Sequence, residues 1–345
     1  MCGIFGALSR SAAGIDPQEF DCIQDLALLN YFRGVHSCGG LSVKVNDTSD
    51  EVTPTVKKYP KSVLWALESE SFRQDLGPSK FSYDREKKKR VVPDDKLRLV
   101  VGHTRQATIG NVNEENSHPF TSKTGRIVGF HNGTIVGKFR LSDEYETDSE
   151  ALINLIEDHL LDEKNSDGEI LFAINHALSE IYDTQTVTDV AAALVIFDTK
   201  TNKVAFFRNS KRPLHFKPLG TKAKNKSTTF DLYWTSSYRD LYYFSQSSSM
   251  YIGMNTTKDY LSDRGFQFNR VVTKVGLQND PVGFTIDPGV GVEFDVMDFT
   301  NEIYFMDVSK KFAKYDSEIE SRKKSTMYHF DTSGDPKKQQ TAMYN

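Results

Sequence analysis

The sequence predicts an α+β protein, because strand and helix patterns alternate along the chain. Apolar runs of strand length occur at Cys2–Leu8 and, interrupted by Arg98, at Leu97–Val101. Apolar residues at helical spacing follow the capping sequence that begins at Thr147. A polar turn joins two further strand patterns, Ala191–Phe197 and Lys203–Arg208, into a hairpin. We therefore expect sheets that are covered by helices.

Composition excludes several classes of protein. The chain has 345 residues, enough for one large domain or two ordinary ones, and 38% of them are hydrophobic. The formal net charge of -4 predicts no direct nucleic-acid binding. No apolar stretch approaches the roughly 18 residues of a membrane span, and no secretory signal is visible. Three cysteines without a CxxC pair suit a reducing cytoplasm, so we expect a cytoplasmic protein without disulfides.

Cys2 directly follows the initiator methionine, and this position has a chemical consequence. Because cysteine is small, Met1 can be removed, which leaves a thiol and a free α-amine on one residue. An α-amine has an ordinary pKa of about 7.7–8.0 and can accept the thiol's proton. The alternative is a chance cysteine before a core strand. This segment alone leaves both interpretations open.

The first helix and the turn after it can be placed from capping signals. Asp16–Glu19 supplies an N-cap, a proline at the first helical position and a glutamate three residues after the cap. The helix is predicted to end before Gly34, and a glycine-rich turn leads into a strand at Leu41–Val45. His36 and Cys38 lie two residues apart, as a catalytic pair can, but in this turn a structural role is favoured. Cys22 lies on the buried side of the helix.

Residues 46–96 read as an insertion that runs over the surface between two core strands. Ser62–Phe72 is predicted to form a short helix. The basic run Lys87–Arg90 could bind phosphate or nucleic acid. A solvated loop is the better interpretation, because the run is short and lacks an aromatic platform or a glycine cradle.

Two buried strands are each followed directly by polar residues. Leu97–Val101 leads into Gly102–Thr108, and the predicted strand Arg126–Phe130 leads into His131–Thr134. Strand ends on a rigid sheet are where side chains of a site are held in place. The histidine spacings match no zinc pattern, so no metal site and no cofactor are predicted.

The rest of the chain gives weaker signals. Further strands are predicted at Phe230–Ser236 and in a hairpin that pairs Val282–Ile286 with Val292–Val296. Residues 307–345 read as a polar, mobile tail with a helix over Lys310–Lys324.

The ordered motifs resemble the glutaminase domain of class II glutamine amidotransferases, which are N-terminal-nucleophile hydrolases. The resemblance covers roughly residues 2–306 and includes the insertion near 46–96. It implies a four-layer αββα sandwich of two mostly antiparallel sheets between helices, and no synthase domain is expected in the chain. The matching motifs are Cys2-Gly3-Ile4, Arg33-Gly34, Gly102-His103-Thr104-Arg105, His118-Pro119, His131-Asn132-Gly133, Thr147-Asp148-Ser149-Glu150, Arg208-Asn209, Thr235-Ser236 and Pro288-Gly289.

The resemblance also implies catalytic roles. Cys2 is the expected nucleophile, which attacks the side-chain amide of glutamine and forms a thioester. The side chain of Asn132 and the backbone N–H of Gly133 are the expected oxyanion donors, because they place hydrogen bonds where negative charge develops.

Glutamine is a zwitterion, and the same resemblance implies a partner for each of its charges. Arg105 offers a fork of donors for the α-carboxylate, and Asp148 offers a carboxylate for the α-ammonium. Thr108 is expected to line the pocket. The resemblance assigns structural roles near the site to Arg33, His103 and His118.

The chain departs from the family pattern at some positions. Gln106 stands where glucosamine-6-phosphate synthases have tryptophan, and Ile109 where they usually have histidine.

Three functions are compatible with these motifs. The first is a glutaminase that supplies ammonia to a separate synthase or modifying enzyme. The second is hydrolysis of a γ-glutamyl amide without ammonia transfer, and the third is a catalytically silent scaffold. The oligomeric state is not predicted.

Overall fold

The structure is a computed structural model. It describes residues 2–9, 14–80, 82–84, 89–91, 93–108, 110–137, 144–162, 169–219, 241–245, 277–280, 283–286, 288–297 and 304–330. Its strands are β1 Gly3–Ser9, β2 Ser37–Asn46, β3 Val52–Tyr59, β4 Ser82–Asp84, β5 Lys89–Val91, β6 Asp95–Arg105, β7 Phe120–Thr121, β8 Ile127–Val136, β9 Asp189–Asp198, β10 Lys203–Arg208, β11 His215–Leu219, β12 Leu241–Ser245, β13 Leu277–Asp280, β14 Gly283–Ile286, β15 Val290–Asp295 and β16 Tyr304–Asp307. Its helices are α1 Pro17–Tyr31, α2 Val63–Glu68, α3 Ser71–Leu76, α4 Asp148–Leu161, α5 Ile170–Asp183 and α6 Ser309–Phe330.

Two large sheets contain nearly all of these strands. The eight-stranded sheet has the order β13-β14-β11-β12-β1-β6-β2-β3, and the six-stranded sheet has the order β16-β15-β10-β9-β8-β7. Each strand pair in the described residues is antiparallel. β1 lies inside the eight-stranded sheet between β12 and β6, so the chain places its first residues at the centre of the fold.

Three buried apolar clusters separate four layers. Because side chains alternate across a strand, Ile4 of β1 faces the other sheet and packs in one cluster with Phe130 of β8. The next residue, Phe5, faces the opposite way and packs with Phe20 of α1. On the far side, α4, α5 and α6 cover the six-stranded sheet. The order is helices, sheet, sheet, helices, which confirms the predicted αββα architecture.

The capping signals that predicted the helix starts are formed in the structure. The N–H of Glu19 donates to Asp16 Oδ1, and the N–H of Asp16 donates to Glu19 Oε2, both at 2.8 Å. At the start of α4, the N–H of Glu150 donates to Thr147 Oγ1 at 3.2 Å. These reciprocal and single caps satisfy backbone donors that a helix start leaves without partners.

The segment 46–96 is more integral to the fold than a surface insertion. β3 pairs with β2 along its whole length and forms the edge of the eight-stranded sheet. Phe72 of α3 is fully buried. The single helix predicted over Ser62–Phe72 is two short helices, because Glu70 adopts a left-handed conformation between them. Residues 85–88, which include half of the basic run, lie outside the described residues.

The predicted hairpin near residue 288 is wrong. β14 belongs to the eight-stranded sheet, where it pairs with β11 and β13. β15 belongs to the six-stranded sheet, where it pairs with β10 and β16. The chain therefore changes sheet between two strands that are adjacent in sequence. The strand predicted at Phe230–Ser236 and the Thr235-Ser236 motif lie outside the described residues.

The interpretation of residues from 307 as a mobile tail is also wrong for α6. The predicted helix exists, but it packs on the core, with Phe312 2% and Ile319 1% exposed. Tyr315 stacks on Tyr182 of α5 with ring centroids 5.0 Å apart. Among the residues that the structure describes, no helix is both long enough and apolar enough to cross a membrane.

Candidate active site

Cys2 immediately precedes β1, and two side chains hold its backbone carbonyl. Arg33 Nε donates to Cys2 O at 3.0 Å, and Asn132 Nδ2 donates to the same oxygen at 2.7 Å. Arg33 follows α1, whereas Asn132 lies on β8 of the six-stranded sheet. The first residues of the chain are therefore fixed between two layers of the fold.

The thiol of Cys2 interacts with the backbone of Gln106, which directly follows β6. The N–H of Gln106 donates to Cys2 Sγ at 3.3 Å, and Sγ donates to Gln106 O at 3.7 Å. Burial raises the pKa of the thiol, and the Gln106 N–H and Arg105 offset part of this effect. A buried thiol of this kind needs a proton acceptor before it can act as a nucleophile.

A small polar pocket opens beside this thiol. Five of the residues proposed from the sequence are among its lining groups, together with His118, which was expected to be structural. The lining residues are Cys2, Arg105, Gln106, Thr108, Asn116, His118, Phe120, His131, Gly133, Thr147, Asp148 and Ser149.

One basic and one acidic side chain, Arg105 and Asp148, line the pocket. The side chain of Arg105 donates to Asn111 O at 2.8 Å, and only 5% of the residue is exposed. Asp148 is the first residue of α4 and is 8% exposed, and its Oδ2 accepts the N–H of Ile135 at 2.8 Å. Burial lowers the pKa of the Arg105 guanidinium, while Cys2 and Asp148 raise it. The pocket therefore presents one basic and one acidic side chain, each held by a hydrogen bond to the main chain.

Gly133 permits a close approach at the back of the pocket. A Cβ atom at this position would overlap the backbone oxygen of Ala191 on β9 and the Nε2 atom of His131. The Ala191 oxygen cannot move without disturbing the β8–β9 pairing, so only glycine fits. Because Gly133 has no side chain, its main-chain atoms line the pocket directly.

Three buried histidines support the floor of the site. The rings of His103 and His118 stack with centroids 3.9 Å apart. Burial lowers the pKa of His103 to about 3, with His131 and Arg105 adding to the effect, and burial lowers that of His118 well below its ordinary value. His131 Nε2 lies 3.2 Å from the acceptor Ala191 O, so its proton sits on Nε2 and Nδ1 accepts from Ser149 Oγ at 2.9 Å. The lowered pKa values favour the neutral form of all three rings.

Six of the candidate residues line the pocket, and three contact residues that line it. The six are Cys2, Arg105, Thr108, His118, Gly133 and Asp148. Asn132 and Arg33 lie behind it on the Cys2 carbonyl, and His103 lies behind His118. No group of three or more metal-ligating side chains occurs in the part of the chain that the structure describes.

Sequence reasoning missed the part played by Gln106. Its side chain departs from the family pattern, but its main chain is what contacts the thiol. A backbone contact leaves no signature in residue type, so no pattern could have indicated it. Asn116 and Phe120 were also missed as lining residues, although they lie next to His118, which the motifs did include.

Comparisons with known proteins agree with these motifs. Residues 89–196 match the family model described as class-II glutamine amidotransferases. Glutamine–fructose-6-phosphate aminotransferase (isomerizing) of Listeria innocua is 35% identical over 133 residues, which cover 36% of this chain and 20% of the relative. The same enzyme of Streptococcus pyogenes is 32% identical over 122 residues, covering 33% and 18%. The chain thus spans about a fifth of the length of these relatives.

Two solved structures are also similar. One is the allosteric regulatory enzyme of purine biosynthesis, with a TM-score of 0.49 and 15% identity, covering 89% of this chain and 49% of that chain. The other is a predicted glutamine amidotransferase from Pseudomonas aeruginosa, with a TM-score of 0.32 and 14% identity, covering 89% and 93%.

Proposed function

We propose that the chain hydrolyses the side-chain amide of L-glutamine to glutamate and ammonia. The proposal starts from the match of residues 89–196 to the family model of class-II glutamine amidotransferases. One observation carries the proposal. The thiol of Cys2 shares a single pocket with a buried cation, Arg105, and a buried anion, Asp148. That combination suits a zwitterionic amino acid with a reactive group at the end of its side chain.

The nucleophile is activated by its own amine. In the described residues, the hydrogen bonds of Cys2 Sγ go to the main chain of Gln106, so no imidazole or carboxylate is bonded to it. Burial raises the thiol pKa, which makes a base necessary. Removal of Met1 frees the α-amine of Cys2, whose ordinary pKa of about 7.7–8.0 allows it to take the proton at neutral pH.

Substrate binding uses the two charged side chains. Arg105 receives the α-carboxylate through its planar fork of N–H donors. Asp148 Oδ2 already accepts the N–H of Ile135, and Oδ1 receives the α-ammonium. Thr108 lines the same pocket and contacts the substrate's chain. These contacts aim the side-chain amide at Cys2.

Chemistry proceeds in two halves. Cys2 Sγ attacks the amide carbon, and the N–H of Gly133, which lines the pocket, stabilises the new oxyanion. The second expected donor, the Asn132 amide, donates to Cys2 O at 2.7 Å, and its role at the oxyanion stays a prediction. The α-ammonium of Cys2 returns its proton to the leaving nitrogen, the C–N bond breaks, and ammonia departs. Water then attacks the glutamyl thioester, which releases glutamate and restores the thiol.

The test is glutamate release from glutamine by the purified protein, with the N-terminus defined by intact mass. We expect loss of Met1, turnover by the wild type, and no turnover by Cys2→Ala. Cys22→Ala is the matched control and should retain activity, because Cys22 is buried on α1 away from the pocket. A glutamine-like diazoketone should label Cys2 alone. An adduct on Cys22 or Cys38, or full activity with Met1 retained, contradicts the proposal.

We propose further that the ammonia passes to an acceptor held by a separate protein. With ¹⁵N-amide glutamine, the isolated protein should release free ammonium and glutamate in a 1:1 ratio. Addition of a cell extract from the source organism should lower that ratio, because part of the nitrogen is transferred. A ratio that stays at one favours hydrolysis without transfer, and γ-glutamyl amides assayed in parallel then identify the preferred substrate.

A further inference from the structure

His36 forms hydrogen bonds to the residues on both sides of Gln106, whose backbone contacts the Cys2 thiol. It lies in the turn between α1 and β2, against the end of β6. Its backbone N–H donates to Arg105 O at 3.1 Å, and its ring Nδ1 accepts the N–H of Ala107 at 2.9 Å. Between these two attachment points stands Gln106, whose N–H donates to Cys2 Sγ at 3.3 Å.

The turn can reach this position because Gly34 packs on the main chain of β6. A Cβ at Gly34 would lie 2.6 Å from Thr104 O and 2.6 Å from the carbonyl carbon of Arg105. The β2–β6 pairing ends at Ser37 and Arg105, so the next peptides have no strand partner in that ladder. The ring of His36 therefore supplies an acceptor just beyond the last ladder bond.

The geometry fixes the tautomer of this ring. A backbone N–H can only donate, so Nδ1 must be the acceptor and the proton of the neutral ring lies on Nε2. An imidazolium ring has no acceptor and could not make the bond. The sequence favoured a structural role for His36, and the contact with Ala107 gives it a definite place beside the reacting thiol.

We propose that His36 is a positioning residue for the reaction of Cys2: by accepting the Ala107 N–H, it holds the Gln106 peptide with its N–H on the thiol. The inference rests on the proposed function. When the thiol loses its proton, a fixed N–H donor stabilises the developing thiolate, as charge-assisted hydrogen bonds do. Without the Nδ1 acceptor, the Gln106–Ala107 segment is released, and that donor leaves the sulfur.

Two variants separate positioning from packing. His36→Phe keeps a ring but removes the acceptor, whereas His36→Asn keeps an acceptor oxygen close to the place of Nδ1. The rate of Cys2 alkylation by iodoacetamide, located by mass spectrometry, is measured with kcat and KM for glutamine and with the melting temperature. The same two substitutions at His159, whose ring lies 3.0 Å from Glu180 between α4 and α5, are the controls.

His36→Phe should slow both alkylation of Cys2 and kcat by about tenfold, the size expected for one hydrogen bond to a charged group. KM should change little, and His36→Asn should recover most of the loss. Alkylation of His36→Phe at the wild-type rate, or equal losses in both variants, overturns the proposal. If the wild type releases no glutamate, the proposed function fails, while the alkylation rates still decide the role of His36.

Discussion

Cys2 is positioned through its carbonyl as well as its thiol. Arg33 and Asn132 both donate to Cys2 O, and the donors come from different layers of the sandwich. Residues near a chain terminus are ordinarily poorly ordered, because few contacts hold their backbone. Two hydrogen bonds to the Cys2 carbonyl, one of them from the cationic side chain of Arg33, hold the sulfur beside the pocket.

Arg105→Lys tests the carboxylate anchor at the residue scale. The substitution keeps the positive charge but loses the bidentate fork. We expect the KM for glutamine to rise by about tenfold or more, whereas alkylation of Cys2 by iodoacetamide, which carries no carboxylate, should change much less. Steady-state kinetics and labelling rates check this. Arg73→Lys, at a surface ion pair with Asp21, is the matched control, and an unchanged KM would exclude Arg105 as the anchor.

At this scale the sequence was informative about side chains and silent about the main chain. Cys2 could be selected from its place after Met1, and Arg105 and Asp148 from motifs that resemble class II glutamine amidotransferases. The structure places all three on one pocket. Their roles stay predictions. The thiol contact of Gln106 could not be selected, because any residue type supplies the same N–H.

At the scale of elements, α6 is part of the core. Phe312 lies in the cluster that includes α4 and α5, and its ring meets Tyr182 at a centroid distance of 5.4 Å. Lysine and serine dominate the sequence around it, so the two apolar positions that matter were hidden among polar ones. A helix with a narrow apolar stripe still packs when that stripe meets a larger apolar surface.

Phe312→Ala should destabilise the whole protein. Deleting a buried phenylalanine ring leaves a cavity and typically costs about 3–5 kcal/mol. Urea unfolding should show that loss, whereas Phe32→Ala, at a side chain that is 82% exposed, should change the free energy of unfolding by less than about 0.5 kcal/mol. Equal, small effects of the two substitutions would mean that α6 does not contribute to the core.

The strands that sequence reasoning placed wrongly have a common physical cause. Val282–Ile286 and Val292–Val296 look like hairpin partners because a Pro-Gly pair separates them, yet β14 and β15 belong to different sheets. Short apolar runs specify a strand but not its partner, since register and sheet are set by distant contacts. β3 was missed because it is an edge strand, where lysine, threonine and proline are tolerated on exposed positions.

At the scale of the whole molecule, the buried histidines make stability depend on pH. Histidine has an ordinary pKa of about 6.5 in an unfolded chain, whereas burial lowers the pKa of His103 in the folded protein to about 3. Between these values the unfolded state binds more protons, so the free energy of unfolding rises with pH up to about 6.5. His118 and His131 shift in the same direction and add to the slope.

His118→Phe isolates this contribution, because an aromatic ring can keep the stack on His103 and the edge contact with Phe120. Urea unfolding between pH 4.5 and pH 7.5 should show a shallower pH dependence in this variant below about pH 6.5, by up to about 1.4 kcal/mol per pH unit. His159→Phe, in which the ring lost lies beside Glu180, is the control for the substitution itself. Carboxylates also titrate near pH 4.5, but both variants contain the same carboxylates, so their contribution cancels in the comparison. If the two variants show the same slope, the ring of His118 is not neutral in the folded protein, and the stack beneath the pocket must carry a proton.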